Sequence, residues 1–141
     1  MGGDWGMENQ AILRAVDAVT ITVPDLDQGL AFYRDRLGHQ VLWRNDAIGQ
    51  VGLLLPDSGT EIVLALRQSS QPNWLVASAD DAADVVVANG GSMVEQPFDI
   101  PVGRAAVVAD PFGNELVLVD LSTGRYRTDE QGHVWDVHSG A

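Results

Sequence analysis

The sequence predicts an α+β fold made of two tandem βαβββ modules whose strands join into one larger curved sheet. The first observation is a near-repeat of one strand, "GTEIVLAL" at residues 59–66 and "GNELVLVD" at 113–120, with a shift of 54 residues. The second is that the order strand, helix and three strands occurs twice. The third is that 141 residues make one ordinary domain. Two separate cores would be too small, so the modules are expected to share one sheet.

The first module is expected over residues 15–67. The stretch "AVTITV" alternates like a half-buried strand, and "PDLDQGLAFYRDRLGH" then carries apolar residues three or four positions apart. This spacing predicts a helix that is capped near Asp25 and stops at Gly38. Three further strands are predicted at "QVLWR", "QVGLLL" and "TEIVLAL".

The second module is expected over residues 68–121. A strand is predicted at "NWLVASA", a helix opening at Asp81 in "DDAADVVVANGG", and three strands at "SMVEQPFD", "GRAAVVAD" and "NELVLVD". Pairing Asp25 with Asp81 gives a shift of 56 residues, close to the shift of the last strands. Residues 1–14 are expected to be a flexible leader and 122–141 a tail or hairpin, over the cup or over a partner subunit.

Composition excludes several classes of site. The chain contains no cysteine, so disulfides, thiolate nucleophiles and cysteine-bound zinc are excluded. The net charge of −12 disfavours nucleic acid as a partner and favours a cationic small molecule. No apolar run is long enough to cross a membrane and no signal-peptide pattern opens the chain, so a cytoplasmic location and no membrane partner are expected.

Two segments resemble the vicinal oxygen chelate superfamily, which includes glyoxalase I, bleomycin-resistance proteins, fosfomycin-resistance enzymes and extradiol dioxygenases. They are "VTITVPDLDQGLAFYRDRLGH" and "VVADPFGNELVLVD", and the similarity spans about Ala15 to Leu121. The resemblance implies paired βαβββ modules in a cup-like mixed sheet, the glyoxalase/bleomycin-resistance/dioxygenase fold. It also implies a ligand held in the cup and, usually, a homodimer.

In metal-dependent members, the resemblance implies His, Gln or Glu ligands at four positions of the cup. Counting from the helix-opening Asp and from the "DP" turn, these positions are Ala18, Val63, Trp74 and Val117. None of the four side chains is a metal ligand. No metal cofactor is therefore expected.

Two repeat-equivalent glutamates offer an alternative site. Glu61 and Glu115 share a face with Val63 and Val117, about 6.5 Å further along each strand. They are candidates for a displaced divalent metal or for a catalytic acid–base pair. The other interpretation places both at the rim, in salt bridges or against a ligand's positive charge.

The other candidate ligand-binding residues lie on the predicted cavity face of the strands or near its opening. Trp74 is the first candidate, to stack on a planar ligand, to face a cation, or only to fill the place of the absent metal. Arg104 is expected either to bind a ligand carboxylate or to form a surface ion pair. The remaining candidates are Thr20, Thr22, Val63, Val117, Trp43 and Arg44.

These observations predict a metal-free protein of the glyoxalase/bleomycin-resistance type that holds a drug or metabolite, as in antibiotic resistance. The alternative is an enzyme of the same superfamily, a lyase, isomerase or dioxygenase. Such an enzyme would use Glu61 and Glu115 without a metal, or would hold a displaced divalent metal.

Overall fold

A computed structural model describes residues 11–129 and 132–138. The first module contains β1 (Ala15–Thr22), α1 (Leu26–Leu30, continued by a π-helical segment Ala31–Arg36), β2 (Val41–Asn45), β3 (Gln50–Leu54) and β4 (Glu61–Ala65). The second contains β5 (Gln71–Leu75), α2 (Ala79–Ala88), β6 (Ser92–Ile100), β7 (Gly103–Ala109) and β8 (Glu115–Val119). A hairpin of β9 (Arg125–Thr128) and β10 (Val134–His138) follows.

The ten strands found in the described residues form one large sheet and one hairpin. The large sheet has eight strands in the order β2-β3-β4-β1-β5-β8-β7-β6. The two modules meet where β1 pairs with β5 antiparallel, and each first strand pairs in parallel with its module's last strand. The prediction of a mixed, curved sheet made from two βαβββ units is confirmed.

Both helices pack on one face of the sheet, each over its own apolar cluster. The cluster of the first module consists of Val23, Leu26, Leu30, Val51, Leu53 and Leu64. The cluster of the second consists of Val76, Ala79, Ala82, Ala83, Ala106, Val108 and Leu118. Because these residues are large in one module and mostly alanine and valine in the other, the two cores are filled differently.

The start of α2 differs from the prediction. The helix begins at Ala79, and its N-cap is Ser78, whose hydroxyl accepts a hydrogen bond from the Asp81 amide. Asp81 is an acidic residue at the third helical position, which resembles a cap in the sequence because serine and aspartate are both favoured there. The prediction that Asp81 opens the helix is therefore wrong by three residues. The helix caps are related by a shift of 53 residues, from Asp25 to Ser78.

The chain ends are attached to the sheet where they are described. Ile12 packs against the second core cluster, and the Arg14 amide donates to the Leu75 carbonyl at 2.9 Å. The other residues of the expected leader, 1–10, lie outside the described residues. No helix in the described part of the chain is long and apolar enough to span a membrane.

The C-terminal hairpin, defined here as residues 125–138 that the structure describes, docks on the edge strand β2. The Arg44 amide donates to the Gly132 carbonyl at 2.8 Å, and Arg44 pairs with His133 in a parallel bridge. Tyr126 and Val134 pack against Trp43 and its neighbours. The hairpin lies beside the cup of its own chain, and residues of β9 line the cavity there.

Candidate functional site

The face of the sheet opposite the helices encloses a cavity of about 990 Å³, within the size range of small-molecule sites. The central strands β1, β4, β5 and β8 form its floor, with β6 and β7 on one side and the C-terminal hairpin on the other. The predicted candidates that line it are Thr20, Trp43, Glu61, Val63, Glu115 and Val117.

Glu61 is the best-defined polar group of the cavity. Its Oε1 accepts a hydrogen bond from the Trp43 indole Nε1–H at 2.7 Å. Burial raises the pKa of the Glu61 carboxyl, and the indole hydrogen bond opposes this rise by stabilising the carboxylate. Nearby Asp17 raises this pKa further, whereas Arg125 lowers it.

The Trp43 indole has neighbours on β3 and on the hairpin. A Cβ atom at Gly52, directly across from Trp43 in the β2–β3 pair, would lie 2.1 Å from the indole nitrogen. The Tyr126 ring packs against the indole with the ring centroids 4.7 Å apart. Because glycine has no Cβ atom, the indole can pack directly over position 52. Trp43 is buried in this position, with 8% of its surface exposed.

Asp17 also lines the cavity, and the sequence analysis missed it. It is the extra residue of a β-bulge in β1, because Val16 and Ala18 pair with the consecutive residues Trp74 and Asn73. A bulge redirects side chains, so simple alternation along the strand could not have identified Asp17. Burial raises the pKa of its carboxyl, and Arg125 of the hairpin opposes the rise.

The predicted placement of Trp74 on the cavity face is wrong. Trp74 packs against the second core cluster on the helix side of the sheet, beneath α2. The error follows from the helix cap, because moving the cap from Asp81 to Ser78 shifts the strand by three residues and reverses its alternation. Asn73 and Gln71 occupy the cavity face of β5 instead, and the Asn73 amide donates to the Thr20 hydroxyl at 3.2 Å.

Three other candidates lie away from the cavity lining. The Thr22 hydroxyl donates to the Gln68 carbonyl. Arg44 forms ion pairs with two exposed aspartates at 2.8 and 3.2 Å. Arg104 forms ion pairs with Asp80 and Asp99, both at 3.0 Å, in agreement with the surface ion pair considered for it.

The structure revises one of the four positions that hold the metal in metal-dependent relatives. Seven residues before the Ser78 cap stands Gln71, so the set becomes Ala18, Val63, Gln71 and Val117. Gln71 alone carries a donor atom, which does not fit a resident metal. Within residues 11–129 and 132–138, no group of three or more His, Cys, Asp or Glu side chains is arranged to hold one.

Glu61 and Glu115 are not neighbours. Glu61 pairs with Ala18, Ala18 with Asn73, and Asn73 with Val117, so three strand spacings separate β4 from β8. At about 4.8 Å each these spacings amount to about 14 Å of backbone separation. The geometry therefore does not favour a metal or an acid–base pair shared by the two glutamates.

Solved structures with the same fold include methylmalonyl-CoA epimerases. The epimerase from Mycobacterium tuberculosis is 22% identical, with 79% of this chain and 90% of that chain aligned and a TM-score of 0.62. A Streptomyces coelicolor methylmalonyl-CoA epimerase variant in complex with 2-nitronate-propionyl-CoA is 19% identical over 79% of this chain and 99% of that chain, with a TM-score of 0.61. The hypothetical protein BH1468 from Bacillus halodurans is 16% identical over 82% and 97%, with a TM-score of 0.60. These likenesses establish the fold.

Family membership follows from the sequence itself. A search by sequence finds no significant match among curated proteins. The family model described as the Glyoxalase/Bleomycin resistance protein/Dioxygenase superfamily matches residues 15–118, which include both βαβββ modules up to the last strand. The chain belongs to the glyoxalase/bleomycin resistance protein/dioxygenase superfamily.

Proposed function

We propose that this protein binds a small organic cation in the cup of its sheet, without a metal, in the manner of the binding-type members of its superfamily. One observation carries the proposal: a half-buried carboxylate, Glu61, is held by the Trp43 indole in the wall of a cavity of about 990 Å³. The residues at the metal positions of metal-dependent relatives support the same interpretation, because only Gln71 of the four carries a donor atom. The ligand would be a drug or metabolite.

The charge of the cavity supports a cationic ligand. The acidic side chains that line it are Asp17, Glu61, Glu95, Asp99 and Glu115, and the basic ones are Arg67 and Arg125. Asp99 is paired with Arg104, which leaves four other carboxyl groups against two guanidinium groups in the lining. A cavity lined by an excess of one sign attracts ligands of the opposite sign, and the net charge of −12 acts in the same direction. The rings of Trp43 and Tyr126 add an aromatic wall suited to a quaternary or aromatic amine.

A matched pair of ligands and a matched pair of variants test this proposal. Titration calorimetry would compare an aromatic quaternary ammonium ion with its neutral tert-butyl isostere. We expect Glu61→Gln to weaken binding of the cation about tenfold, as for loss of a charge-assisted contact, and to leave the neutral isostere unaffected. The comparison variant is Glu115→Gln, which removes the same charge from an exposed position of the cavity lining and should weaken binding of the cation much less than Glu61→Gln does. Equal affinities for the cation in the wild type and in Glu61→Gln would contradict the proposal.

A second candidate function is proton abstraction from a carbon acid. The observation that favours it is the raised pKa of Glu61, since a carboxylate whose pKa is closer to neutral is a stronger general base. Glu61 would take a proton from the carbon next to a carbonyl group and return it to the resulting enolate. The epimerases with the same fold make methylmalonyl-CoA the first compound to test, although the acidic surface disfavours its phosphates.

Hydrogen exchange distinguishes this enzyme from a binding protein. Incubation in D₂O with methylmalonyl-CoA, followed by proton NMR, would detect deuterium at the carbon next to the thioester. Exchange that disappears in Glu61→Gln supports the enzyme, whereas an absence of exchange with this and smaller carbonyl compounds favours the binding protein.

Location and assembly remain part of the proposal. We expect a cytoplasmic homodimer with no nucleic-acid or membrane partner. Sedimentation equilibrium tests the dimer, and a monomeric mass at micromolar concentration would contradict it.

A further inference from the structure

The C-terminal hairpin contacts the residues that hold Glu61. Its Tyr126 ring packs on Trp43, and Trp43 donates its only side-chain N–H to Glu61. Gly52 leaves the space in which the indole lies. The direction of the N–H donor, and hence its hydrogen bond with Glu61, depends on how the indole ring is held.

Tyr126 is itself fixed to β2 at successive residues. Its ring contacts Trp43, the hairpin backbone accepts a hydrogen bond from the Arg44 amide, and the Asn45 side chain hydrogen-bonds to the Tyr126 hydroxyl. An indole packed against a ring that is anchored in this way loses alternative orientations. Without that ring, the indole would keep its place over Gly52 but would lack the packing contact with the hairpin.

Charged groups from two elements also act on Glu61. Asp17 approaches from the bulge of β1, and Arg125 approaches from β9, next to Tyr126. Together with the hydrogen bond from Trp43 of β2, these two charges influence the ionisation of the carboxyl group. Docking of the hairpin therefore places the charge of Arg125 near Glu61 and the Tyr126 ring against the indole that donates to Glu61.

We infer that Tyr126 is a positioning residue for Glu61 and acts through Trp43: its ring holds the indole in the orientation that donates to the carboxylate, so the C-terminal hairpin completes the ligand site. The inference deepens the proposed function and rests on it in taking Glu61 as the group that meets the ligand. The hairpin is then a third part of the site, added to the two modules of the family fold.

A double-mutant cycle on the full-length protein tests this inference without a ligand. The pKa of Glu61 would be measured by carbon NMR of its side-chain carboxyl group, with and without Trp43→Phe. In the wild type, we expect Trp43→Phe to raise this pKa, because the indole hydrogen bond stabilises the carboxylate. In a Tyr126→Ala background, we expect the rise caused by Trp43→Phe to fall to less than half. Tyr126→Ala admits water to the site whether position 43 is tryptophan or phenylalanine, so the effect of this water cancels in the comparison. The change in the rise caused by Trp43→Phe therefore reports the orientation of the indole.

Two controls separate positioning from a general loss of structure. Tyr33→Ala removes a ring on the helix side of the sheet, where Tyr33 packs against the first core cluster and Phe32, and should leave the rise unchanged. Tyr126→Phe keeps the ring but loses the hydroxyl that bonds to Asn45, and should retain most of the rise. Tyr126→Leu keeps apolar volume without the aromatic ring and should reduce the rise. Equal rises in the wild-type and Tyr126→Ala backgrounds would overturn the inference.

The outcome is independent of the calorimetric test of the proposed function. A reduced rise, together with cation binding that does not respond to Glu61→Gln, would uphold the positioning role and refute the proposed function. An undiminished rise, together with weakened cation binding in Glu61→Gln, would do the reverse.

Discussion

The two modules place a glutamate at the same point of their last strand, but only the first module surrounds it. Glu61 is half-buried and accepts a hydrogen bond from Trp43, whereas Glu115 is exposed at the end of β8. The difference therefore arises from the neighbouring strands. The duplication places the two glutamates at equivalent positions of their strands. The residues on the neighbouring strands determine how far each glutamate is buried.

The pairing of the strands identifies these neighbours. Gly52 pairs with Val63 in the first module, and Val107 pairs with Val117 in the second, so Gly52 and Val107 are equivalent. The strand beyond carries Trp43 opposite Gly52 and Glu95 opposite Val107. The second module thus has a valine where the first leaves space for an indole, and a glutamate in place of that indole.

The modules also differ in how their helices begin. In the second module, Asp120 accepts hydrogen bonds from the amides of Ala79, Arg104 and Ser122 and from the Ser122 hydroxyl. The residue 54 positions earlier in the first module is Leu66, which packs against the first core cluster. A buried carboxylate at the end of the last strand therefore holds the first turn of α2, whereas the equivalent position of the first module makes apolar contact with the core beneath α1.

The largest expected effect tests the space beside the indole. Gly52→Ala should lower the free energy of unfolding by about 3 kcal/mol, because its Cβ would overlap the indole of Trp43. In an open strand position the same replacement would be favourable, since glycine is a poor strand residue. Urea unfolding measures the change. Gly59→Ala is the control, since nothing lies within 4 Å of a Cβ there. A Gly52→Ala protein as stable as the wild type would show that position 52 tolerates a side chain, as the equivalent position 107 does with its valine.

The next effect concerns the carboxylate that anchors α2. Burial opposes ionisation of Asp120, but the hydrogen bonds from Ser122, Ala79 and Arg104 outweigh it and lower the pKa of this carboxyl. Asp120→Asn should cost about 2 kcal/mol at pH 7. Because the folded-state pKa is depressed, this stability is present above the unfolded value of about 3.9 and is lost as the pH falls through the folded value.

Urea unfolding between pH 7 and pH 3 checks this prediction. The wild type should lose stability towards acid more steeply than Asp120→Asn. If the free energy of unfolding fell equally with pH in the wild type and in Asp120→Asn, the ionised Asp120 carboxylate would not stabilise the fold as proposed.

A smaller effect separates the two tryptophans. Trp74→Leu should lower the free energy of unfolding by about 1.5 kcal/mol, because Trp74 packs against the second core cluster and the leucine only partly fills its place. Ligand affinity should not change, since Trp74 lies on the opposite face from the cavity. Thermal unfolding and calorimetry measure the two quantities, and a loss of affinity without a loss of stability would place Trp74 in the site.

The smallest effects concern the glutamates themselves. Glu115→Gln should leave the stability within about 0.5 kcal/mol of the wild type, as for an exposed substitution. Glu61→Gln should stabilise slightly at pH 7. The raised folded-state pKa of Glu61 means that the ionised form opposes folding above that pKa, and the amide oxygen of glutamine still accepts from Trp43. Lower stability of Glu61→Gln at pH 7 would show that the ionised carboxylate is structural.

The sequence predicted the fold because the repeat and the strand alternation are local signals. Thr20, Val63 and Glu115 line the cavity as the alternation of β1, β4 and β8 predicted, whereas Thr22 at the end of β1 does not. The face of β5 was assigned wrongly, since a choice between Ser78 and Asp81 as the helix cap decided it, and both residue types are favoured caps.

The rest of the site could not be inferred from local patterns. Asp17 faces the cavity because a bulge interrupts β1, and a bulge depends on the pairing of two strands. The contact of Tyr126 with Trp43 joins segments more than eighty residues apart in the chain. A glycine at position 52 was the only local indication of space for the Trp43 indole. It could be interpreted only after the pairing of β2 with β3 had placed Gly52 opposite Trp43.

The position of the hairpin along the chain determines when the cup is completed during synthesis. Residues 125–138 follow both modules, so the ribosome adds Tyr126 after all eight strands of the large sheet have been made. The residues of the sheet and of both helices are therefore in place along the chain before the partner ring of Trp43 is added. Under the inference drawn above, the two modules without the hairpin would discriminate poorly among ligands, although they contain every strand of the large sheet.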